Sequence, residues 1–303
     1  MLNSKTLFRQ NTDELFSYGQ SVCILPYDEP EDFYLPKDYA RIYTYEENPS
    51  KDIIKNVKSV YLFNDEEMPL SLIPEWIFQA ESLIELCIDS SFLLDSRLYD
   101  SIWWSNLKSL VINKTINFTK KTMTLDCKDL NSLEKLVMQD PVCEICNLFS
   151  LENIEYLIIN LEGKGDLYLD NLCLLKSLNF LTLISLDSKS NISGLSKINL
   201  VGLEIVYHEN AQQEIPDCIS MQNLKYLHVN NTRSIFDIKK ISSSSSLTEI
   251  LLWNCKKIKN IEYLLNVQKL KSLEILDCKP KLLDSTITNL KAKKLARISI
   301  DNN

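Results

Sequence analysis

The segment NLKYLHV, residues 223–229, decides how this chain folds, because ten other segments repeat its pattern. Each copy has an apolar residue at its second letter, which we count as position one, and apolar residues return at positions four and six. The eleven position-one residues follow one another at intervals of 21 to 26 residues, with a mean of 23.8. The other ten copies are NVKSVYL (56–62), SLIELCI (82–88), NLKSLVI (106–112), SLEKLVM (132–138), NIEYLII (153–159), SLNFLTL (177–183), NLVGLEI (199–205), SLTEILL (246–252), SLEILDC (272–278) and KLARISI (294–300).

The alternation of apolar residues within each copy predicts a short β-strand. A fixed period of this length predicts that successive strands pair in parallel, about 4.8 Å apart, and that each repeat packs only on its neighbours. Positions four and six then point into the core, whereas positions three and five lie on the other face of the sheet. We expect the position-four leucines to be buried: Leu86, Leu110, Leu136, Leu157, Leu181, Leu203 and Leu227.

This pattern resembles the leucine-rich-repeat family, whose period is about 20 to 29 residues. LIPEWIFQAESLIEL (72–86) and EIPDCISMQNLKYL (214–227) also match the family's proline-containing convex segment. The resemblance covers residues 56–303. It implies an α/β repeat solenoid, a horseshoe with a parallel β-sheet on its concave side and turns, 3₁₀ pieces or short helices on its convex side. At position nine, where the family prefers Asn or Cys, only Cys255 and Asn303 match, which predicts irregular loops.

Residues 1–55 do not follow the period. SKTLFRQNTDELFSY (4–18) predicts an amphipathic helix, and SVCILPY (21–27) and YARIYTY (39–45) predict strands around a turn rich in Pro and Asp. Because a terminal repeat exposes an edge of the core, we interpret residues 1–55 as an N-terminal cap and residues 56–303 as the solenoid. A small extra binding or effector domain in residues 1–55 is the alternative.

The charge of the chain argues against two classes of partner. The net charge is -8 and the sequence pI is about 5.0, so neither a nucleic acid nor an anionic membrane surface is attracted. No apolar stretch has the length of a secretory signal or of a transmembrane helix. The 9 cysteines are an odd number and favour buried thiols over a disulfide framework. These features predict a cytoplasmic protein.

Residues that carry chemistry are few and scattered. Cys143 and Cys146 form a CxxC without a second such pair, and the register places Cys143 in the core, so we predict no metal site. The chain has 2 histidines, His208 and His228, and lacks the GxSxG, HExxH and GxxxxGK motifs. The sequence therefore predicts no catalytic residue, no cofactor and no enzyme. An enzyme would need a domain without recognisable pattern in residues 1–55.

Aromatic residues gather at the outward positions of the middle repeats, which we expect to form an exposed stripe. Tyr and Trp anchor protein interfaces because they bury a large area with few rotamers. The alternative is that aromatic residues at these positions only favour the strand conformation, or that loops cover them. The predicted partner-binding residues on the concave face are Tyr156, Phe180, Glu204, Tyr226, His228 and Trp253.

These features predict a non-catalytic module that binds another protein. Similarity to short bacterial repeat proteins suggests a cytoplasmic immunity protein that sequesters a toxin. A bacterial effector that acts by binding a host protein is the first alternative. A structural or assembly role through end-to-end stacking is the second, and it is favoured if the last strand is uncapped.

Overall fold

The computed structural model describes residues 21–25, 40–44, 48–64, 72–114, 123–140, 143–162, 169–187, 193–208, 222–278, 284–293 and 295–300. The chain divides into two compact units, residues 1–153 and residues 154–303, which we call unit 1 and unit 2. The predicted helix in residues 4–18 and most of the segment 214–227 lie outside the described residues.

Unit 1 is built on a parallel sheet. Six of its strands pair in the order β2-β1-β3-β4-β5-β7, and Ser59, Glu85 and Ser109 are consecutive partners at position three. The predicted strands near the N-terminus are confirmed: they extend the same sheet, with β1 between β3 and β2. Whether residues 1–55 form only a cap stays a prediction. The described strands of unit 1 are β1 (Ser21–Leu25), β2 (Ala40–Thr44), β3 (Ser59–Leu62), β4 (Glu85–Asp89), β5 (Ser109–Asn113), β6 (Thr124–Asp126), β7 (Lys135–Met138) and β8 (Glu144–Cys146).

Unit 2 repeats this architecture. Seven strands form a parallel sheet in the order β9-β10-β11-β12-β14-β16-β17. Every pair within this order runs parallel, which confirms the predicted ladder within the unit. The described strands of unit 2 are β9 (Tyr156–Asn160), β10 (Phe180–Leu186), β11 (Gly202–Tyr207), β12 (Tyr226–Asn230), β13 (Ile235–Asp237), β14 (Glu249–Trp253), β15 (Lys257–Lys259), β16 (Ser272–Leu276) and β17 (Arg297–Ile300).

The core of each unit lies on one side of its sheet. The seven position-four leucines named above are all at most 1% exposed, which confirms the predicted inward direction of that position. We call the opposite side of the sheet, formed by positions three, five and seven, the strand face. The segments that lead from one strand to the next form the return side.

Tight helical turns dominate the return side, as predicted. Within the described ranges, most of them are 3₁₀ helices of three to six residues, and two are α-helices. The 3₁₀ helices of unit 1 are Glu75–Gln79, Ser90–Leu94, Ser96–Leu98, Trp104–Asn106 and Leu148–Ser150, and those of unit 2 are Leu169–Leu174, Ser193–Lys197, Ile238–Lys240 and Ile261–Asn266. The α-helices are α1 (Lys51–Asn56) and α2 (Asp284–Ala292).

Each unit also carries a small second ladder that the sequence did not predict. In unit 1, β6 pairs in parallel with β8, and in unit 2, β13 pairs in parallel with β15. In both cases an asparagine follows the second strand with a positive φ, 54° at Asn147 and 57° at Asn260. Its side-chain amide donates to an aspartate of the preceding repeat, Asp126 or Asp237, over 2.8 Å. The two units therefore contain the same local structure, a short parallel ladder followed by an asparagine turn.

The structure corrects the register of the tenth repeat. In β16, Leu273 pairs with Ile250, which occupies position four, so position one is Leu270 rather than Leu273. The sequence misleads here because Ile275 and Leu276 are adjacent and both frames place apolar residues at the required spacing. The frame read from the sequence puts Ile275 and Asp277 at positions three and five of the strand face. Both assignments are wrong, because Ile275 is fully buried at position six and Asp277 occupies position eight. Ser272 and Glu274 occupy positions three and five.

Four repeats of unit 2 have a left-handed residue at position eight, which follows the strand in three of them and lies inside β10 in the fourth. Positive φ angles occur at Ser185, Asn231, Asn254 and Asp277, a conformation that Asn and Asp tolerate better than most residues. The turn directs position nine back into the core. With the register corrected, that position holds Cys255 and Cys278 in neighbouring repeats. Their thiols contact the carbonyl oxygens of Val229 and Leu252 over 3.4 and 3.5 Å. Cys278 therefore joins Cys255 as a match to the Asn or Cys expected at position nine.

Candidate binding face

Three aromatic rings stack along position three in unit 2. Tyr156 and Phe180 are partners on β9 and β10, and their ring centroids lie 4.6 Å apart with planes only 4° from parallel. The ring of Tyr226 on β12 continues the stack at 6.3 Å from Phe180, with an angle of 24° between the planes. All three side chains are partly exposed. Residues far apart in sequence thus form one continuous aromatic surface.

The stack depends on a glycine in the intervening strand. Gly202 on β11 is the position-three partner of both Phe180 and Tyr226. Strands separated by one other are about 9.6 Å apart, yet the two ring centroids are much closer. The rings therefore lean together over Gly202, which is buried. A β-carbon at this point would enter the space that the two rings share.

Glu204 on β11 lies beside the rings, at position five. Its carboxylate accepts a hydrogen bond from Thr182 on β10 over 3.3 Å and a longer one from Asn230 on β12 over 3.5 Å. Glu204 is partly exposed, whereas Thr182 and Asn230 are buried. These contacts across three strands hold a negative charge at a defined place on the strand face.

The expectation that His228 is a surface residue is wrong, because its side chain is 0% exposed. Its ring Nε2 lies 2.9 Å from Oε1 of Glu249 on the next strand. A carboxylate only accepts, so Nε2 donates this bond. Neighbouring strands are close enough for side chains at adjacent positions to cover one another, and Glu204 and Leu251 flank His228 at position five. His228 therefore orients Glu249 instead of meeting a partner directly.

Trp253 is exposed, as expected, but it stands apart from the ring stack. It occupies position seven at the end of β14 and is 41% exposed. Its indole Nε1 donates to Oδ2 of Asp277 over 2.6 Å. Of the six residues that the sequence singled out, the structure brings together Tyr156, Phe180, Glu204 and Tyr226, and it places Trp253 at a second point of the same strand face.

The strand face between β9 and β14 is acidic. Its positions three, five and seven contain Glu204 and Glu249 and neither Lys nor Arg. Asp277 adds a carboxylate next to Trp253. Arg297 on β17 lies beyond this region and forms an ion pair with Glu274 over 3.0 Å. We call the region between Tyr156 and Trp253 the acidic aromatic face.

In unit 1, the expected exposure of positions three and five is wrong on β3, β4 and β5, and on β7 only Lys135 is partly exposed. Glu85 and Ser59 are at most 1% exposed, and Tyr61, Cys87 and Val111 are also buried. Ser59 and Cys87 are small side chains that larger neighbours can cover in a closely spaced sheet, and Glu85 accepts a hydrogen bond from Ser59. The exposed stripe expected from the sequence is therefore a property of unit 2.

Two of the buried acids of unit 1, Glu85 and Asp89, occupy the strand face, and sequence reasoning missed them. Glu85 accepts a 2.6 Å hydrogen bond from Ser59, and burial raises the pKa of Glu85 to about 7. Asp89 accepts a 2.6 Å bond from the backbone of Asn64, and burial, with a further contribution from nearby Asp140, raises the pKa of Asp89 to about 6. Both acids occupy strand-face positions where the alternation pattern predicts exposure, so the sequence carries no signal for their burial.

The structure supports the core role predicted for the CxxC segment. Cys143 is 0% exposed, whereas Cys146 is exposed at the end of β8. Within the described ranges, no cluster of three or more His, Cys, Asp or Glu side chains has the geometry to hold a metal ion. Whether the chain binds zinc stays a prediction. No helix in the described part of the chain is long and apolar enough to cross a membrane.

A comparison of the sequence with protein-family profiles finds no match, and a comparison with curated proteins finds none either. Among solved structures, an internalin of Listeria monocytogenes is similar at 18% identity and a TM-score of 0.55, over 83% of this chain and 69% of that chain. A leucine-rich-repeat protein of Leptospira interrogans matches at 18% identity and a TM-score of 0.46, over 84% of this chain and 69% of that one. A second Listeria monocytogenes internalin matches at 17% identity and a TM-score of 0.34, over 82% and 83%. The repeat period, the parallel ladders and the first of these similarities together show that this chain has the leucine-rich-repeat fold.

Proposed function

We propose that this chain is a non-catalytic protein-binding module and that the acidic aromatic face is its binding surface. The observation that carries the proposal is the stack of Tyr156, Phe180 and Tyr226, three partly exposed rings held on consecutive and near-consecutive strands. Exposed aromatic residues on a rigid sheet contribute large contact areas without losing much side-chain freedom on binding.

The surroundings of the stack support the same function. Glu204 and Glu249 are each held by hydrogen bonds to neighbouring strands, so their carboxylates are preorganised before a partner arrives. Trp253 supplies a second exposed aromatic ring toward the end of β14. An interface with separate aromatic anchors and fixed polar groups is typical of specific recognition.

In its finer form, the proposal is that the partner is a toxin and that the chain is an immunity protein that sequesters it. This part rests on similarity to short bacterial repeat proteins. A neighbouring gene that encodes a toxin, together with protection of cells by this chain, would support it. Binding to a host protein instead would favour the effector alternative.

The binding surface is tested by capturing partners from the native cell with the full-length chain. The informative comparison is between wild type and the double variant Phe180→Ala, Tyr226→Ala. A truncated interface aromatic typically costs about 2 kcal/mol or more, which corresponds to about thirtyfold in affinity. We expect the captured partner to be lost from the double variant while the fold is retained.

The matched control is Tyr263→Ala, which removes a partly exposed aromatic ring on the return side of the same unit. This variant should bind like wild type. If the double variant binds like wild type and Tyr263→Ala does not, the partner uses the return side and the proposed surface is wrong. If the double variant loses both binding and its circular dichroism spectrum, Tyr226→Leu and Phe180→Leu, tested singly, separate folding from binding.

A further inference from the structure

The geometry of the ring stack defines where an additional group can bind. Tyr156 and Phe180 are separated by 4.6 Å, which is close to the spacing of adjacent strands, and their planes are nearly parallel. The ring planes are therefore roughly perpendicular to the line that runs from one strand to the next across the sheet. Tyr226, tilted by only 24° from Phe180, presents one ring face to Phe180 and the other toward β14.

The strand register places a carboxylate on the side of Tyr226 that faces away from Phe180. Glu249 is the position-three partner of Tyr226 on β14, and its side chain is 22% exposed. The bond from Nε2 of His228 to Oε1 of Glu249 fixes the carboxylate in place. A carboxylate has about four lone-pair sites, so Glu249 retains acceptor capacity for a further donor. An aromatic face and a fixed negative charge thus border one slot.

We infer that the slot between Tyr226 and Glu249 receives a cationic side chain, preferably the guanidinium of an arginine, from a basic segment of the protein partner. Arginine stacks on an aromatic face and forms paired hydrogen bonds with a carboxylate, and its weakly hydrated cation enters partly buried sites more readily than lysine does. The inference rests on the proposed function, because it assigns the chemistry of the partner at the proposed surface.

The charge of the surrounding surface favours the same occupant. Positions three, five and seven of the strand face carry neither Lys nor Arg between β9 and β14, and Glu204 adds a second carboxylate one strand away from Tyr226. An acidic surface of this kind raises the rate at which a basic partner arrives and disfavours acidic partners. The slot between Tyr226 and Glu249 would select arginine, and the negative charge of the acidic aromatic face would attract the basic partner.

The test uses a defined probe with the full-length chain. An acetylated peptide of four Gly-Arg pairs is titrated at low salt and compared with the same peptide in which citrulline, an uncharged analogue of arginine, replaces each arginine. We expect Glu249→Gln and Tyr226→Leu each to weaken the arginine peptide about threefold to tenfold. Tyr226→Phe keeps the ring face, so it should retain more of the affinity for the arginine peptide than Tyr226→Leu does.

Two controls separate the slot from the overall negative charge. Glu262→Gln removes the same charge from the exposed return side, and Tyr263→Leu removes a ring beside it, so both should leave the affinity unchanged. Equal weakening by Glu249→Gln and Glu262→Gln would show attraction by net charge alone and overturn the inference, as would equal binding of the citrulline peptide.

The inference and the proposed function fail in different ways. If the native partner depends on Phe180 and Tyr226 but not on Glu249, and the arginine peptide ignores the slot, the surface binds a partner without an anchoring cation and only the inference is wrong. If the peptide requires Tyr226 and Glu249 while the native partner depends on no residue of the acidic aromatic face, the slot binds arginine but the proposed function is wrong, and so is the assignment of that arginine to the native partner.

Discussion

Phe180 and Tyr226 stack with a centroid separation of 6.3 Å although the strand β11 lies between their own strands. This contact exists because Gly202, between them, has no side chain. The aromatic surface therefore depends on the missing side chain of Gly202 as well as on the rings themselves. A search for aromatic residues alone would not find Gly202.

We predict that Gly202→Val separates the two rings. The new side chain would enter the space they share, and overpacking of this kind typically costs about 1–3 kcal/mol. Urea denaturation followed by circular dichroism measures the loss of stability, and the ring-proton chemical shifts of Phe180 and Tyr226 report the lost stack. Gly202→Ala should show a smaller change in the same direction. Unchanged ring shifts in both variants would mean that the rings do not need the gap.

We also predict that paired substitutions at Asn260 separate two contributions to stability, the hydrogen bond to Asp237 and the positive φ. Asn260→Ala loses the hydrogen bond to Asp237 and places alanine at a positive φ, which together cost about 1–3 kcal/mol. Asn260→Gly loses only the bond, because glycine adopts a positive φ freely. The alanine variant should therefore unfold at a lower urea concentration than the glycine variant. Asn147 in unit 1 should behave in the same order, and equal stabilities would argue that φ does not matter there.

The same turns have an electrostatic consequence. The side-chain bond from Asn147 holds the pKa of Asp126 below its usual value, and the bond from Asn260 does the same for the pKa of Asp237. A lowered pKa in the folded state adds stability that is present above the unfolded pKa and disappears as the pH falls through the folded value. The asparagine variants should accordingly differ less from wild type in strong acid than at neutral pH.

The sequence predicts the core of this protein well because a strict period specifies it. Position four recurs in every repeat, and a leucine such as Leu203 or Leu227 has the same environment as its neighbours on both sides. The register read from the sequence is wrong in the tenth repeat, where two registers place apolar residues at the required spacing. Ile275 and Leu276 are adjacent apolar residues, and only strand pairing shows which of them enters the core.

The sequence predicts the strand face less well because exposure there depends on side chains from other repeats. His228 and Tyr226 are two residues apart on one strand, yet the histidine is fully buried and the tyrosine is partly exposed. The difference arises from the residues that neighbouring strands place beside them. Those neighbours are more than 20 residues away along the chain. The alternation of apolar and polar residues within one strand gives no information on the size of the side chains on the neighbouring strands.

Lys293 follows α2, and its side chain caps the C-terminal end of the 3₁₀ helix Ile261–Asn266 in the preceding repeat. Its Nζ donates to the carbonyl oxygens of Leu264 and Leu265, each over 3.0 Å, and to that of Val267. We predict that Lys293→Met lowers the stability by about 1–3 kcal/mol, because it leaves partly buried carbonyls without their donor. Lys291→Met, at an exposed position in α2, should have almost no effect in the same denaturation measurement. Equal effects of the two variants would assign the loss to helix charge instead.

The buried carboxyl of Glu85 should make unit 1 less stable as the pH rises. Its pKa is raised by burial from 4.5 to about 7, so the folded state favours the protonated acid. The resulting stability is fully present below the unfolded pKa and is lost as the pH rises through about 7. Above that pH, the charged carboxylate is buried at a cost of up to about 3 kcal/mol.

Glu85→Gln removes this cost and keeps the size of the side chain, so it should resemble wild type near pH 5 and become the more stable protein above pH 7. Unfolding can be followed by tryptophan fluorescence, since Trp76, Trp103 and Trp104 are all buried in unit 1. Glu81→Gln, at an exposed position of the same unit, controls for the change in net charge. A difference between Glu85→Gln and wild type that does not grow with pH would contradict the prediction. It would mean that the contact with Ser59 and the attraction of Lys135 offset the burial of the charge, since both favour the ionised carboxylate.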